Sequence, residues 1–172
     1  MTKRLVAVMG AMLCLASLSV TAQVPGVLGV WELNTMASSL PTSVFPAGIK
    51  SETRQIYQRK DGYLVVLLLR MNGDGTPDFI QVVAKSDGKD YPMYQSGALV
   101  ELLVSGTPTQ GTYSETITDQ YTAQIVVKRA GTVVNKGSRR ISADGKTMTL
   151  NVTTVLGDGK EIPLVLVFDK TK

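Results

Sequence analysis

Thr147-Met148-Thr149-Leu150-Asn151-Val152-Thr153 is the stretch on which the fold class turns. In an extended chain successive side chains point to opposite faces, so Met148, Leu150 and Val152 share one face and Thr147, Thr149, Asn151 and Thr153 the other. A helix, at roughly 3.6 residues per turn, would scatter the three apolar residues around its axis. Threonine and valine are β-branched and suit a pleated surface. The stretch reads as a strand with one dry and one wet face.

Noisier versions of the same pattern recur at 28–34, 50–58, 62–70, 77–86, 97–104, 110–118, 122–130, 133–142 and 161–169. Between them stand Asp61-Gly62, Asp74-Gly75, Asp87-Gly88, Asp144-Gly145 and Asp158-Gly159. In such a dipeptide the glycine takes positive φ and the aspartate bonds its own turn backbone, as a tight hairpin requires. Sequential hairpins make neighbouring strands antiparallel, and a meander of this size removes its exposed edges by closing on itself. The expected fold is all-β: an antiparallel up-and-down barrel of 8–10 strands. Two runs, 63–69 and 162–168, break the alternation and need cover on both faces, from a loop, a terminal segment, a second subunit or another partner. Pro163 lacks an N–H, which sets the start of its strand at an edge or bulge. The long connection 35–50 reads either as a lid over one barrel end or as a plain crossover.

The 172 residues are 44% hydrophobic and 19% charged, which suits one folded domain. Met1-Thr2-Lys3-Arg4, an uncharged run from Leu5 to Val20, and Thr21-Ala22-Gln23 together form a signal-peptide pattern. The expected division is a signal peptide at 1–22 and a barrel domain at 23–172, secreted or periplasmic, with no integral membrane span after cleavage. Cys14 leaves with the signal, so no disulfide is available to the remainder. The absence of histidine excludes Ser-His-Asp and Cys-His nucleophile systems and most zinc sites. Net charge falls from +4 to +2 when Lys3 and Arg4 are removed, too little to indicate nucleic acid or an anionic membrane as partner.

Gly29-Val30-Trp31-Glu32-Leu33-Asn34, Ser86-Asp87-Gly88-Lys89-Asp90-Tyr91-Pro92, and Gly137-Ser138-Arg139 followed by 142–149 carry a family likeness. The chain resembles small secreted bacterial lipocalin-like β-barrel domains. That resemblance implies that Trp31 plugs the closed end of the barrel and that an arginine stacks over its indole, here Arg139 or, one register step away, Arg140. The departures fall in 38–43 and in the unusually apolar 62–70 strand, which concern the lid and the pocket mouth.

Other motifs carry little chemistry. Ser86-Asp87-Gly88-Lys89 matches Ser-x-x-Lys, but that nucleophile pair works on a helical turn and Asp87-Gly88 marks a hairpin apex. The 72–78 segment alternates oxygen ligands without the later acids of a calcium loop, and reads as a turn. Asn151-Val152-Thr153 is a formal glycosylation sequon inside a strand. No metal or cofactor is expected, and no residue pattern indicates an enzyme; one working with acids and tyrosine ranks last. The expected activity is binding of a small apolar or amphipathic molecule, with Tyr57, Tyr63 and Tyr113 orienting it. The alternative is a ligand-free scaffold or protein-interaction module, homo-oligomeric or otherwise, whose barrel is filled by its own side chains. Interior volume separates the two. Solid packing at Trp31, Leu67, Leu103 and Met148 favours the scaffold; a cavity on the order of a few hundred Å³ beside a tyrosine favours carriage.

Overall fold

A computed structural model describes residues 24, 26–95 and 111–172. The signal-peptide segment 1–22, the 97–104 strand and Leu103 lie outside these residues. Ten strands follow in chain order: β1 (Gly29–Leu33), β2 (Ile49–Gln58), β3 (Leu64–Asn72), β4 (Pro77–Ala84), β5 (Tyr91–Gln95), β6 (Gly111–Ile117), β7 (Thr122–Arg129), β8 (Thr132–Ile141), β9 (Thr147–Val155) and β10 (Glu161–Lys170). Each pairs antiparallel with its neighbour, and β1 pairs with β10, so the sheet is a closed up-and-down barrel. Closure leaves no open strand edge. Among the described residues no helix is long and apolar enough to cross a membrane.

The turn chemistry works as the sequence implies. Gly62, Gly75, Gly88, Gly145 and Gly159 all take positive φ. Each preceding aspartate accepts a hydrogen bond from the backbone N–H two residues on, at Tyr63, Thr76, Lys89, Lys146 and Lys160. In the 72–78 turn Asp74 Oδ1 also takes the Thr76 hydroxyl at 2.7 Å, so that oxygen serves its own turn.

The ring is sealed where the chain ends meet. Trp31 lies opposite Arg54 on β2 and Lys170 on β10, and the Val30 N–H donates to the Lys172 carbonyl at 2.8 Å. Gly29 is required there: its φ is +139°, and a Cβ would lie 2.3 Å from the Lys172 carbonyl oxygen. Trp31 is fully buried and donates its indole N–H to the Val27 carbonyl at 2.9 Å. Val24, Val27, Phe168, Met148, Ile141 and Leu150 pack with it. The floor of the barrel is therefore solid.

The expected arginine does not cover Trp31. Lys170 does: its ammonium stands 5.0 Å from the indole centre and donates to the Gly26 carbonyl. Arg139 is held elsewhere, its guanidinium donating to Glu115 of β6 at 2.8 Å. The 34–48 connection clips onto β10 through Ser38 and Ser39, whose partners are Val167 and Val165. From there it brings Leu40 and Phe45 against the core.

Candidate functional site

Alternation puts Glu52, Arg54 and Ile56 of β2 inside the barrel, opposite Arg70, Leu68 and Val66 of β3. Register thus makes Glu52 and Arg70 direct cross-strand neighbours. Each Glu52 oxygen takes two guanidinium nitrogens of one arginine: Oε1 those of Arg54 and Oε2 those of Arg70, all at 2.7 Å. Burial alone would push the Glu52 carboxyl up, but the charges of Arg54 and Arg70 and their hydrogen bonds outweigh it and hold it below the usual range. The clamp is capped by aromatic faces, Phe168 at 4.6 Å from Arg54 and Phe45 at 5.2 Å from Arg70.

A second buried acid, Glu115 of β6, anchors another group. Its Oε1 accepts from Arg139 at 2.8 Å and from the Ser86 hydroxyl at 2.7 Å, and its Oε2 from the Tyr113 hydroxyl at 2.5 Å. Burial first, and then the Glu115 charge, raise the Tyr113 hydroxyl well above its ordinary range, so it stays a donor. Arg139 Nε is buried without a partner among the described residues. Among the described residues the inward faces thus carry the guanidinium groups of Arg54, Arg70 and Arg139 and the carboxylates of Glu52 and Glu115, with Asp78 3.7 Å from Arg70 on the same face.

Between the second group and the apolar wall of β3 and β4 lies a cleft. Leu64, Val66, Val82 and Ala84 form its apolar side, and Lys85, Ser86, Tyr113 and Glu115 its polar side. The space between the two sides does not admit a water molecule. At its rim Lys85 sits 4.7 Å from the Tyr63 ring centre, Arg59 sits 5.8 Å from it on the Asp61 side, and Tyr91 meets Tyr63 edge to face at 5.8 Å. Tyr91 donates to Asp87 at 2.9 Å; burial, then that bond and charge, push its hydroxyl up to about 12.

The three tyrosines named from sequence have different positions. Tyr113 lines the cleft and Tyr63 stands at its rim. Tyr57 is on the outer face, 49% exposed, because Ile56 next to it points inward. Leu67 also faces outward, beside the half-exposed Leu69, with Val66 and Leu68 taking the interior. Arg139 is interior but serves Glu115. Among the described residues no group of three or more acids or other metal ligands gathers. Glu52, Arg54, Arg70, Glu115, Lys85 and Ser86 are absent from the residues singled out as site candidates by sequence. The available signal was alternation itself, which puts 52, 54 and 56 on one face with an isoleucine.

Fold and interior define a closed ten-stranded antiparallel barrel with a polar, ion-paired core. No protein-family model matches the chain, and no curated protein matches it in sequence. Solved structures do. The crystal structure of wild-type fluorescent protein UnaG superposes with a TM-score of 0.55 at 15% identity, covering 87% of this chain and 100% of that one. A single-substitution variant of UnaG gives 0.56 at 14% identity, covering 87% and 99%. At such identity the likeness shows the barrel fold.

Proposed function

We propose that this protein is a non-enzymatic carrier of a small amphipathic molecule, exported to the periplasm or beyond, and that the ligand occupies the cleft between β3–β4 and β6. The cleft carries the reading: it is the place where an apolar wall faces convergent polar groups inside a closed barrel. The ion groups support it. Buried charge pairs add little stability over apolar packing of the same volume, so a barrel needing only to stand would gain nothing from the charges it holds inside. The shared architecture with UnaG supports it through form alone, since a closed ring can surround a guest.

Tyr113 and Ser86 hold the polar wall in place through Glu115. A guest widens the cleft by moving side chains, and burial of its apolar surface, at about 25 cal/mol per Å², supplies the affinity. The N-terminal pattern at 1–22 supports export. A second reading, a scaffold that carries nothing, is favoured by the lack of water-sized space in the cleft.

Native mass spectrometry of the protein from its own host tests both. Carriage is expected to show a small-molecule increment on a chain beginning at Gln23, lost in Ala84→Leu, which fills the cleft. A wild-type protein that carries nothing and takes up no amphiphile sinks the carrier reading and leaves the scaffold.

A further inference from the structure

We infer that Asn72 is a self-modifying site: it converts to isoaspartate with loss of ammonia, and the docking of residues 45–48 against the β3–β4 turn holds that conversion off. Of the asparagines at 34, 72, 135 and 151, Asn72 alone is followed by glycine, the others by threonine, lysine and valine. Glycine leaves the nitrogen after the asparagine unshielded, since it has no side chain and its backbone turns freely. In the reaction the Gly73 nitrogen gives up its proton and attacks Asn72 Cγ. The N–Cγ bond forms, the Cγ–Nδ2 bond breaks, and Nδ2 leaves as ammonia with the proton. Water then opens the cyclic imide at either carbonyl, giving aspartate or isoaspartate.

The glycine at 73 is required by packing. A Cβ on it would lie 1.9 Å from the Ala47 carbonyl oxygen, so a side chain does not fit while 45–48 is docked. The folded turn disarms both reacting groups. The Gly73 N–H donates to the Gly48 carbonyl at 3.1 Å. Asn72 Nδ2 donates to the Thr76 hydroxyl at 3.1 Å, which draws the side chain across the turn. The Asn72 backbone is pinned as well, its N–H donating to the Thr76 carbonyl at 2.9 Å and its own carbonyl accepting from Gly75 at 3.0 Å. Cyclisation therefore waits for a local opening in which Gly48 parts from Gly73. Phe45, with its ring 5.2 Å from the Arg70 guanidinium, anchors the segment that must lift. The product does not fit back: isoaspartate adds a methylene to the main chain where Gly73 already leaves no room beside Ala47. An opening that reacts is recorded permanently in the covalent chain.

Prolonged incubation of the full chain at neutral pH, with isoaspartate read by peptide mapping, tests this. Urea-unfolded protein is expected to convert at Asn72 ahead of the other asparagines, and folded protein at least about a hundredfold slower. Gly48→Ala loosens the docked segment: Gly48 has φ +69° and nothing within 4 Å of the Cβ position, so alanine strains the backbone alone. Gly159→Ala imposes the same kind of strain, at φ +83° and in equally open space, on the β9–β10 turn. Gly48→Ala is expected to convert about tenfold faster than wild type, and Gly159→Ala at the wild-type rate. Equal rates in the two variants, or folded protein converting as fast as unfolded chain, overturn the gate. Absence of isoaspartate at Asn72 in the unfolded chain overturns the site. Converted protein, separated by its added negative charge, is expected to exchange the Phe45 and Gly48 amide hydrogens faster than wild type; unchanged exchange overturns the loss of docking.

Discussion

The two sides of the barrel use their interiors differently. On the side of β1 and β8–β10, large side chains fill the space completely: Trp31, Phe168, Met148 and Ile141 are 0–1% exposed, and β9 pairs with β10 over nine residues. On the side of β4–β6 the interior instead sets the buried polar group of Glu115, Tyr113 and Ser86 beside Val82, Ala84 and Met93. The first side is closed by apolar packing, and the second combines apolar side chains with buried hydrogen-bonded ones.

Substitutions can break that comparison. The largest effect is expected at Trp31→Ala, which removes the floor of the packed side and should cost about 3–5 kcal/mol in urea unfolding. Glu52→Gln comes close behind, on the order of 3–5 kcal/mol, because it leaves two buried guanidiniums facing a neutral amide. This loss should depend on pH. Since the folded carboxyl titrates below its ordinary value of 4.5, its stabilisation is complete above that value and disappears as pH falls through the lower folded one. The gap between wild type and Glu52→Gln should therefore close on acidification below about pH 4.5.

A matched pair sharpens the contrast. Ala123 is fully buried on the packed side and Ala84 borders the cleft. Ala123→Leu should cost about 1–3 kcal/mol by overpacking, whereas Ala84→Leu should cost under about 1 kcal/mol while abolishing amphiphile binding. Equal costs would mean that the two sides are packed alike. The smallest effect is expected at Tyr57→Ala, within about 0.5 kcal/mol and without change in binding, because the ring stands in solvent on the outer face.

Strand positions were legible because alternation and Asp-Gly turns act locally, and both survive in the structure with the mechanism the residues imply. One strand was missed: β5 at 91–95 is not among the candidate stretches, because Pro92 interrupts the pattern there. The site was less legible. Glu52, Arg54, Arg70 and Glu115 look like solvated positions until ring closure turns their faces inward and register brings opposite charges together. Tyr57 illustrates the converse. An aromatic residue in a strand suggests an interior, yet one step of parity puts it outside. Covering Trp31 required knowing which strand completes the ring, a fact about residues 139 positions apart in the chain that no local pattern encodes.

That seam between β1 and β10 also governs the order of assembly. Until residues 161–170 are available, the other nine strands form at best a curved sheet with two raw margins, each able to template a neighbouring molecule. A nascent chain without residues 161–170 therefore exposes both margins, and a holdase that shields them until β10 is made would raise the yield of native protein.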